Sequence, residues 1–173
     1  VTVYPSGVTG PDAPAVTPVH TMAITSTRAM PLTSSGFNLI DVRDLGAMIA
    51  AALTPGLGPR RLMASGRYLP WADFLDVCDE ARGRKVFRYP APGALLRGVG
   101  HFADLTHIKM PVDFALTHEA MVEATQACPY DSAADEAALG VTPRPIVDTM
   151  RDTYRWLFQA GHISAKDAGD CAS

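Results

Sequence analysis

The stretch FNLIDVRDLGAMIAAAL, residues 37–53, decides the fold class. Phe37 to Ile40 is a short β-prone run. From Asp41 the period changes. Leu45, Met48, Ile49, Ala52 and Leu53 fall at i, i+3, i+4, i+7 and i+8, one apolar stripe along a helix. Asp41 or Asp44 can accept from the free N–H groups of its first turn, and Thr54-Pro55-Gly56 ends it. A strand that runs directly into an amphipathic helix is a βα unit, and a second strand-like run, Arg61 to Ala64, follows it before the turn at Ser65-Gly66. Alternation of this kind predicts an α/β chain.

Working outward, Val1 to Tyr4 is β-prone, and Pro5-Ser6-Gly7 and Gly10-Pro11-Asp12 are turn signals. Residues Pro5 to Pro14 therefore read as a loop. His20 to Met30 has weak helical periodicity, and Thr33-Ser34-Ser35-Gly36 is a turn. Downstream, Pro70 suits a first helical turn. Trp71, Phe74, Leu75 and Cys78 form an inward face, with Gly83 as the stop. Lys85 to Tyr89 alternates like a strand. Pro92 opens a helix through Leu95, Leu96 and Val99, and Pro111 and Thr117 precede another helical stretch. Ser132 with Asp135 resembles a capping box ahead of Ala134, Ala137 and Ala138, closed by Gly140. Pro143 and Pro145 lead into a last helix with Ile146, Met150, Tyr154 and Leu157 on one stripe, ended by Gly161. The residues after it, 162–173, are small and polar and read as a flexible tail.

The chain has 173 residues, 47% of them apolar and 19% charged, which is ordinary globular composition for about one domain. Fifteen basic against eighteen acidic side chains leave a net charge of -3, so no basic excess is available to grip a nucleic acid. No apolar run approaches the ~20 residues that span a bilayer. No signal peptide is visible, and Cys78, Cys128 and Cys171 form an odd set without CxxC spacing. Reduced thiols and a cytoplasmic location are expected. Val1 is not Met and opens a strand-like run. The expectation is that the chain begins inside a domain, with processing as the plain alternative.

The segment PSGVTGP, residues 5–11, follows the first strand. Ligands of doubly wound sheets bind at the carboxyl ends of strands, and glycines let backbone approach a flat ligand. An ordinary β-to-α connection is the competing reading. His101, His107 and His118 have spacings of six and eleven, which match no common metal-ligand pattern, so no metal is expected. Asp41 and Asp44 fit helix capping better than an acid–base pair. Trp71, Phe74 and Cys78 read as core. Trp156 lies off the last helix's stripe. Ser6 has no His and Asp in a recognisable triad order.

Four segments in order carry a family resemblance: VTVYPSGVTGP at 1–11, FNLIDVRDLGAMIAAAL at 37–53, RLMASGRYLPWADFLDVCDEARG at 61–83, and YDSAADEAALGVTPRPIVDTMRDTYRWLFQAG at 130–161. Together they resemble the C-terminal half of the extended short-chain dehydrogenase/reductases, nearest to the dihydroflavonol reductase-like branch of the NAD-dependent epimerase/dehydratase group. The resemblance implies the C-terminal part of a Rossmann-type parallel sheet plus a smaller, mostly helical substrate-binding domain. Residues 1–12 and 42–66 would be the sheet remnant, and 13–41 and 67–161 the substrate domain. Pro5, Ser6, Gly7 and Val8 match positions that line the nicotinamide end of NAD or NADP in the family. His20 or Thr21 falls where a polar contact to the cofactor phosphates stands, although by itself His20 reads as a surface histidine. Val19, Met22, His101 and Phe102 come from segments that line the family's substrate pocket.

The family's chemistry needs a Tyr and a Lys four residues apart on one helix, the ammonium lowering the phenol's pKa for proton transfer. Four residues beyond Tyr4, Tyr68, Tyr89, Tyr130 and Tyr154 stand Val8, Ala72, Gly93, Ala134 and Phe158. A strand–GxGxxG–helix unit is also missing. In full-length relatives both motifs precede the PSGVTGP-like loop. The chain thus reads as the substrate-binding part and nicotinamide-end loop of an NAD(P)-dependent oxidoreductase or epimerase. It would act on a small-molecule carbonyl or hydroxyl substrate, with no catalytic residue of its own and no activity alone. The alternative is a non-catalytic module that complements a separate N-terminal half or forms a homo-oligomer through an exposed sheet edge.

Overall fold

The computed structural model describes residues 1–56, 58–106 and 117–173. His107 and Pro111 lie outside them. In chain order the elements are β1 (Thr2–Pro5), β2 (Gly7–Thr9), α1 (Pro18–Thr25), β3 (Ala29–Leu32), β4 (Gly36–Asp41), α2 (Val42–Ala52), β5 (Arg61–Ala64) and β6 (Arg67–Pro70). There follow α3 (Trp71–Arg82), β7 (Phe87–Pro90), α4 (Gly93–Thr106), α5 (His118–Gln126), α6 (Ala133–Leu139), α7 (Ile146–Gln159), α8 (Ala165–Ala168) and a 3-10 turn (Gly169–Ala172). The α/β expectation is met, with strands paired in parallel early in the chain and helices dominating later.

β1 runs parallel to β5, from Thr2↔Arg61 to Pro5↔Ala64. β2 runs parallel to β4, from Gly7↔Leu39 to Thr9↔Asp41, and β4 is antiparallel to β6. β3 and β7 form a separate parallel pair. The first strand therefore changes partner at Ser6. Its N–H still donates to Ala64 O at 3.3 Å and its hydroxyl donates to Ser65 O at 2.8 Å. Beyond it the chain crosses to β4. This corrects the sequence reading of a loop from Pro5: Pro5 ends β1, where its missing donor costs little, and Gly7–Thr9 is sheet.

Helix α1 is also shorter than its periodicity suggested. Thr17 caps it and Pro18 opens it. The hydroxyls of Thr25 and Ser26 donate back to the carbonyls of Thr21 and Ala23, a competition with backbone pairing that favours termination. Met30 belongs to β3 instead. The Ser132–Asp135 capping box does not form. Ser132 donates to Glu136 Oε1 at 2.5 Å, and Asp135 Oδ2 is occupied by the N–H of Met63 at 2.7 Å. Gly83 ends α3 in the left-handed conformation (φ 65°), as expected.

The main core gathers Met22, Leu39, Leu69, Trp71, Phe74 and Leu75 with Met150, Tyr154 and Leu157. Cys78 lies fully inside it, and burial pushes its thiol up to about 11, the behaviour of a core residue. Tyr154 meets Ser26 Oγ at 2.6 Å, and the Arg82 guanidinium lies 5.2 Å over its ring. Arg82 donates to Ser26 O and to Asp167 O, fastening the end of α1 and the C-terminal segment to α3. The tail is thus folded, contrary to the reading from composition. Ile163, Ala168 and Cys171 are buried in the main core, and Cys171 Sγ donates to Ala81 O at 3.1 Å.

A second, smaller cluster joins Ile40, Met48 and Ala64 with Val3, Val8 and Leu45. Here the predicted stripe of α2 is only partly covered: Met48 and Ala52 are buried, but Ile49 is 41% and Leu53 71% exposed. The two edges of the β1–β5 pair also differ. The outer edge of β5 is stoppered by Asp135, whereas the outer edge of β1 carries no strand among the described residues.

Candidate functional site

The carboxyl ends of β1 and β5 and the first half of β4 meet at a buried polar hub. Asn38 Nδ2 donates to Tyr130 O at 2.8 Å, and the N–H of Tyr130 donates back to Asn38 Oδ1 at 3.0 Å. Asn38 Nδ2 also reaches Ser65 O at 3.4 Å, and the Ser65 hydroxyl donates to Tyr130 O at 3.3 Å. With Ser6 on Ser65 O, these bonds hold the bend between β1 and β2 in one place. Sequence reading missed this hub. Its signal was a polar Asn inside the apolar run 37–40, since a buried amide must find partners.

At the bend, Gly7 lies in close approach. A Cβ there would stand 3.0 Å from Asn38 O and 3.5 Å from Val19 Cγ2. Gly10, at φ 151°, turns the chain toward α1, and a Cβ there would press to 2.6 Å on Val42 Cγ1. His20 then closes the segment from behind. Its Nδ1 accepts from the N–H of Thr17 at 3.1 Å and meets Thr17 Oγ1 at 2.8 Å, while Nε2 faces Gly10 O at 3.4 Å. Its ring lies 5.1 Å from that of Trp156. His20 is 2% exposed, so it is not the surface histidine its sequence position implied. Burial pushes its imidazole below the ordinary value, against the Gly10 carbonyl and with the help of His162. Thr9 Oγ1 meets Thr153 Oγ1 at 3.4 Å, tying β2 to α7.

An ionic brace fixes the entry to α2. Asp41 caps it, accepting from the N–H of Arg43 at 2.8 Å, and holds the Arg43 guanidinium at 2.7 Å, which also reaches Asp152. Asp44 accepts from the N–H of Arg144 at 2.9 Å and from its guanidinium. Burial alone would raise the Asp41 carboxyl, but the Arg43 hydrogen bonds outweigh it and hold the group below its usual range. The capping reading of Asp41 stands, while Asp44 serves as a clamp on Arg144.

Of the residues expected at the cofactor, Ser6, Gly7 and Val8 are half-buried at the bend and Pro5 is exposed at its rim. Val19 packs toward Gly7, and Thr21 is half-buried on α1 with its carbonyl accepting from Thr25. The structure thus gathers Ser6, Gly7, Val8, Val19 and His20 in one neighbourhood. Met22 is different: it is packed in the main core rather than lining an opening. His101 and Phe102 sit exposed on α4, which packs on α5, and the His101 ring lies 5.5 Å from that of His118. Among the described residues no group of three His, Cys, Asp or Glu is placed to hold a metal, and no helix is long and apolar enough to cross a membrane.

No protein-family model matches the chain, and no curated protein matches it. Solved structures do. The chain is similar to gox2253 at 24% identity and a TM-score of 0.69, over 94% of this chain and 50% of that one. It is similar to a nucleoside-diphosphate-sugar epimerase from Pseudomonas aeruginosa at 21% identity and a TM-score of 0.67, over 94% and 49%. A UDP-glucuronic acid 4-epimerase from Bacillus cereus, solved with UDP-glucuronic acid and NAD, is similar at 12% identity and a TM-score of 0.54, over 91% and 45%. The chain spans about half the length of these structures, and what it shares with them is the fold: a mixed α/β arrangement with parallel strands, part of a Rossmann-like epimerase fold.

Proposed function

We propose that the chain is the later half of an NAD(P)-dependent oxidoreductase or epimerase of the extended short-chain type, nearest the dihydroflavonol reductase-like branch. In this reading residues 1–12 and 42–66 complete a nucleotide-binding sheet, and 13–41 with 67–161 form the lobe that holds a carbonyl or hydroxyl substrate. The observation that carries it is the asymmetry of the β1–β5 pair. One edge is stoppered by a carboxylate. The other, on the very strand whose end leads into the glycine-bearing bend, carries no strand among the described residues. An open parallel edge beside an apolar helix face calls for further strands and helices of the same sheet. Structures about twice as long that contain this fold supply that context.

A nicotinamide cofactor, NAD or NADP, would supply or accept the hydride. At the bend Gly7 lets the backbone pack closely on Asn38 and Val19, and Pro5 stands exposed beside it. Pro5, Ser6, Gly7 and Val8 would hold the cofactor. His20, with both ring nitrogens occupied internally, serves the loop rather than the phosphates. The Tyr–Lys pair that moves the substrate proton is not in this sequence, so the chain alone is expected to be inactive.

The exposed Ile49 and Leu53 also favour a second reading, a module that covers its open face with another copy of itself. One experiment separates the two. NAD(P)H oxidation with aldehyde substrates and mass by light scattering are measured for this chain alone and for the chain joined to the segment encoded upstream. Activity restricted to the longer protein supports the reductase reading. A stable dimer of the short chain, with no activity in either, supports the second.

A further inference from the structure

We propose that His20 is a proton-operated latch: the neutral imidazole locks the start of helix α1 to the Ser6–Pro11 segment, and the imidazolium releases it. Hydrogen-bond polarity fixes the tautomer of the ring. The backbone N–H of Thr17 donates to Nδ1 at 3.1 Å. A nitrogen that accepts carries no proton, so the proton of the neutral ring sits on Nε2, facing the Gly10 carbonyl at 3.4 Å. One ring thus joins the cap of α1 to the turn that aims β2 toward it. Protonation turns Nδ1 into a donor. The Thr17 hydroxyl at 2.8 Å can rotate to accept from it, but the Thr17 N–H then loses its acceptor, and the reciprocal cap is broken.

The Gly10 carbonyl favours the charged ring, but burial outweighs it. α1 has no charged side chain, β2 has none, and α7 presents the Trp156 ring. The titratable group that acts on the ring is His162, beyond Trp156 at 5.6 Å ring to ring, and its charge opposes a second one nearby. The ring itself is buried. The unfolded chain therefore binds the proton more readily than the folded one, and the latch weakens as pH falls below 6.5. This holds whether or not the chain belongs to a reductase.

The test is a nitrogen-15 titration of the histidines with amide exchange of the full chain, corrected for intrinsic rates. The expected result is an Nε2–H tautomer for His20 at neutral pH and titration below 6.5. The protection of the His20 and Thr21 amides should drop several-fold between pH 7.5 and 5.0. The amides of α7 should stay unchanged. H20Q, whose amide can accept from Thr17 and donate to Gly10, should keep its protection across this range. An Nδ1–H tautomer, titration at or above 6.5, protection that ignores the titration, or the same drop in H20Q would overturn the latch. The wild-type titration decides the matter even if H20Q fails to fold.

Discussion

The two apolar clusters of this chain differ in kind. The one around Phe74, Met150, Tyr154 and Leu157 is enclosed on all sides by α1, α3, α7, β4, β6 and the folded tail. The one around Ile40, Met48 and Ala64 is a thin layer whose helix leaves Ile49 and Leu53 in solvent and whose first strand has no strand on its outer edge among the described residues. The first carries the buried aromatics and the second is wholly aliphatic, yet both are apolar, so hydrophobicity alone does not separate them. What separates them is whether the chain itself supplies both faces of the layer. The helical lobe does so, and the sheet does not. Stability should therefore be concentrated in the lobe, and dependence on another polypeptide in the sheet.

Substitutions can break that contrast. Phe74→Ala and Leu157→Ala, both fully buried in the enclosed cluster, should each cost about 2–5 kcal/mol in urea unfolding, enough to unfold much of a marginal domain. Val3→Ala, half-buried in the thin cluster, should cost less than about 1 kcal/mol. Equal losses would erase the distinction.

The ionic brace lies between the two regions, and its removal should have an intermediate effect. Asp41→Asn should cost about 2 kcal/mol at pH 7, since Arg43 loses a charged acceptor. The sign with pH follows from the carboxyl being held low in the fold. Its contribution is present above the unfolded value near 3.8, and it is lost as pH falls through the folded one. Acid titration of stability should therefore flatten in the variant. At the cap of α1, Thr17→Ala should cost about 1 kcal/mol and leave β1–β5 undisturbed. The smallest effect should come from Ile49→Ser with Leu53→Ser. On the open face these should change the stability of the chain alone by no more than about 0.5 kcal/mol, while weakening any association that covers α2.

Much of this was legible in the residues. The strand–helix passage at 37–53 and the stops at Gly83, Gly140 and Gly161 are local signals, and local chemistry enforces them. The reading failed where distant groups decide. Ser6 moves one strand between two partners through the carbonyls of Ala64 and Ser65, and nothing near it in sequence announces that. Asp135 was expected to cap its own helix and instead stops the edge of β5. The tail looked frayed because it is small and polar, yet Arg82 and Ala81 take it into the core. His20 read as a surface histidine by itself, and the packing of α1 buries it.

The most direct test of the account is the protein-coding sequence immediately upstream of Val1, read in frame. The account predicts a helix there with Tyr and Lys four residues apart, preceded by a strand, a glycine-rich turn and a helix. A stop codon at that place, or an upstream segment with neither feature, would contradict it.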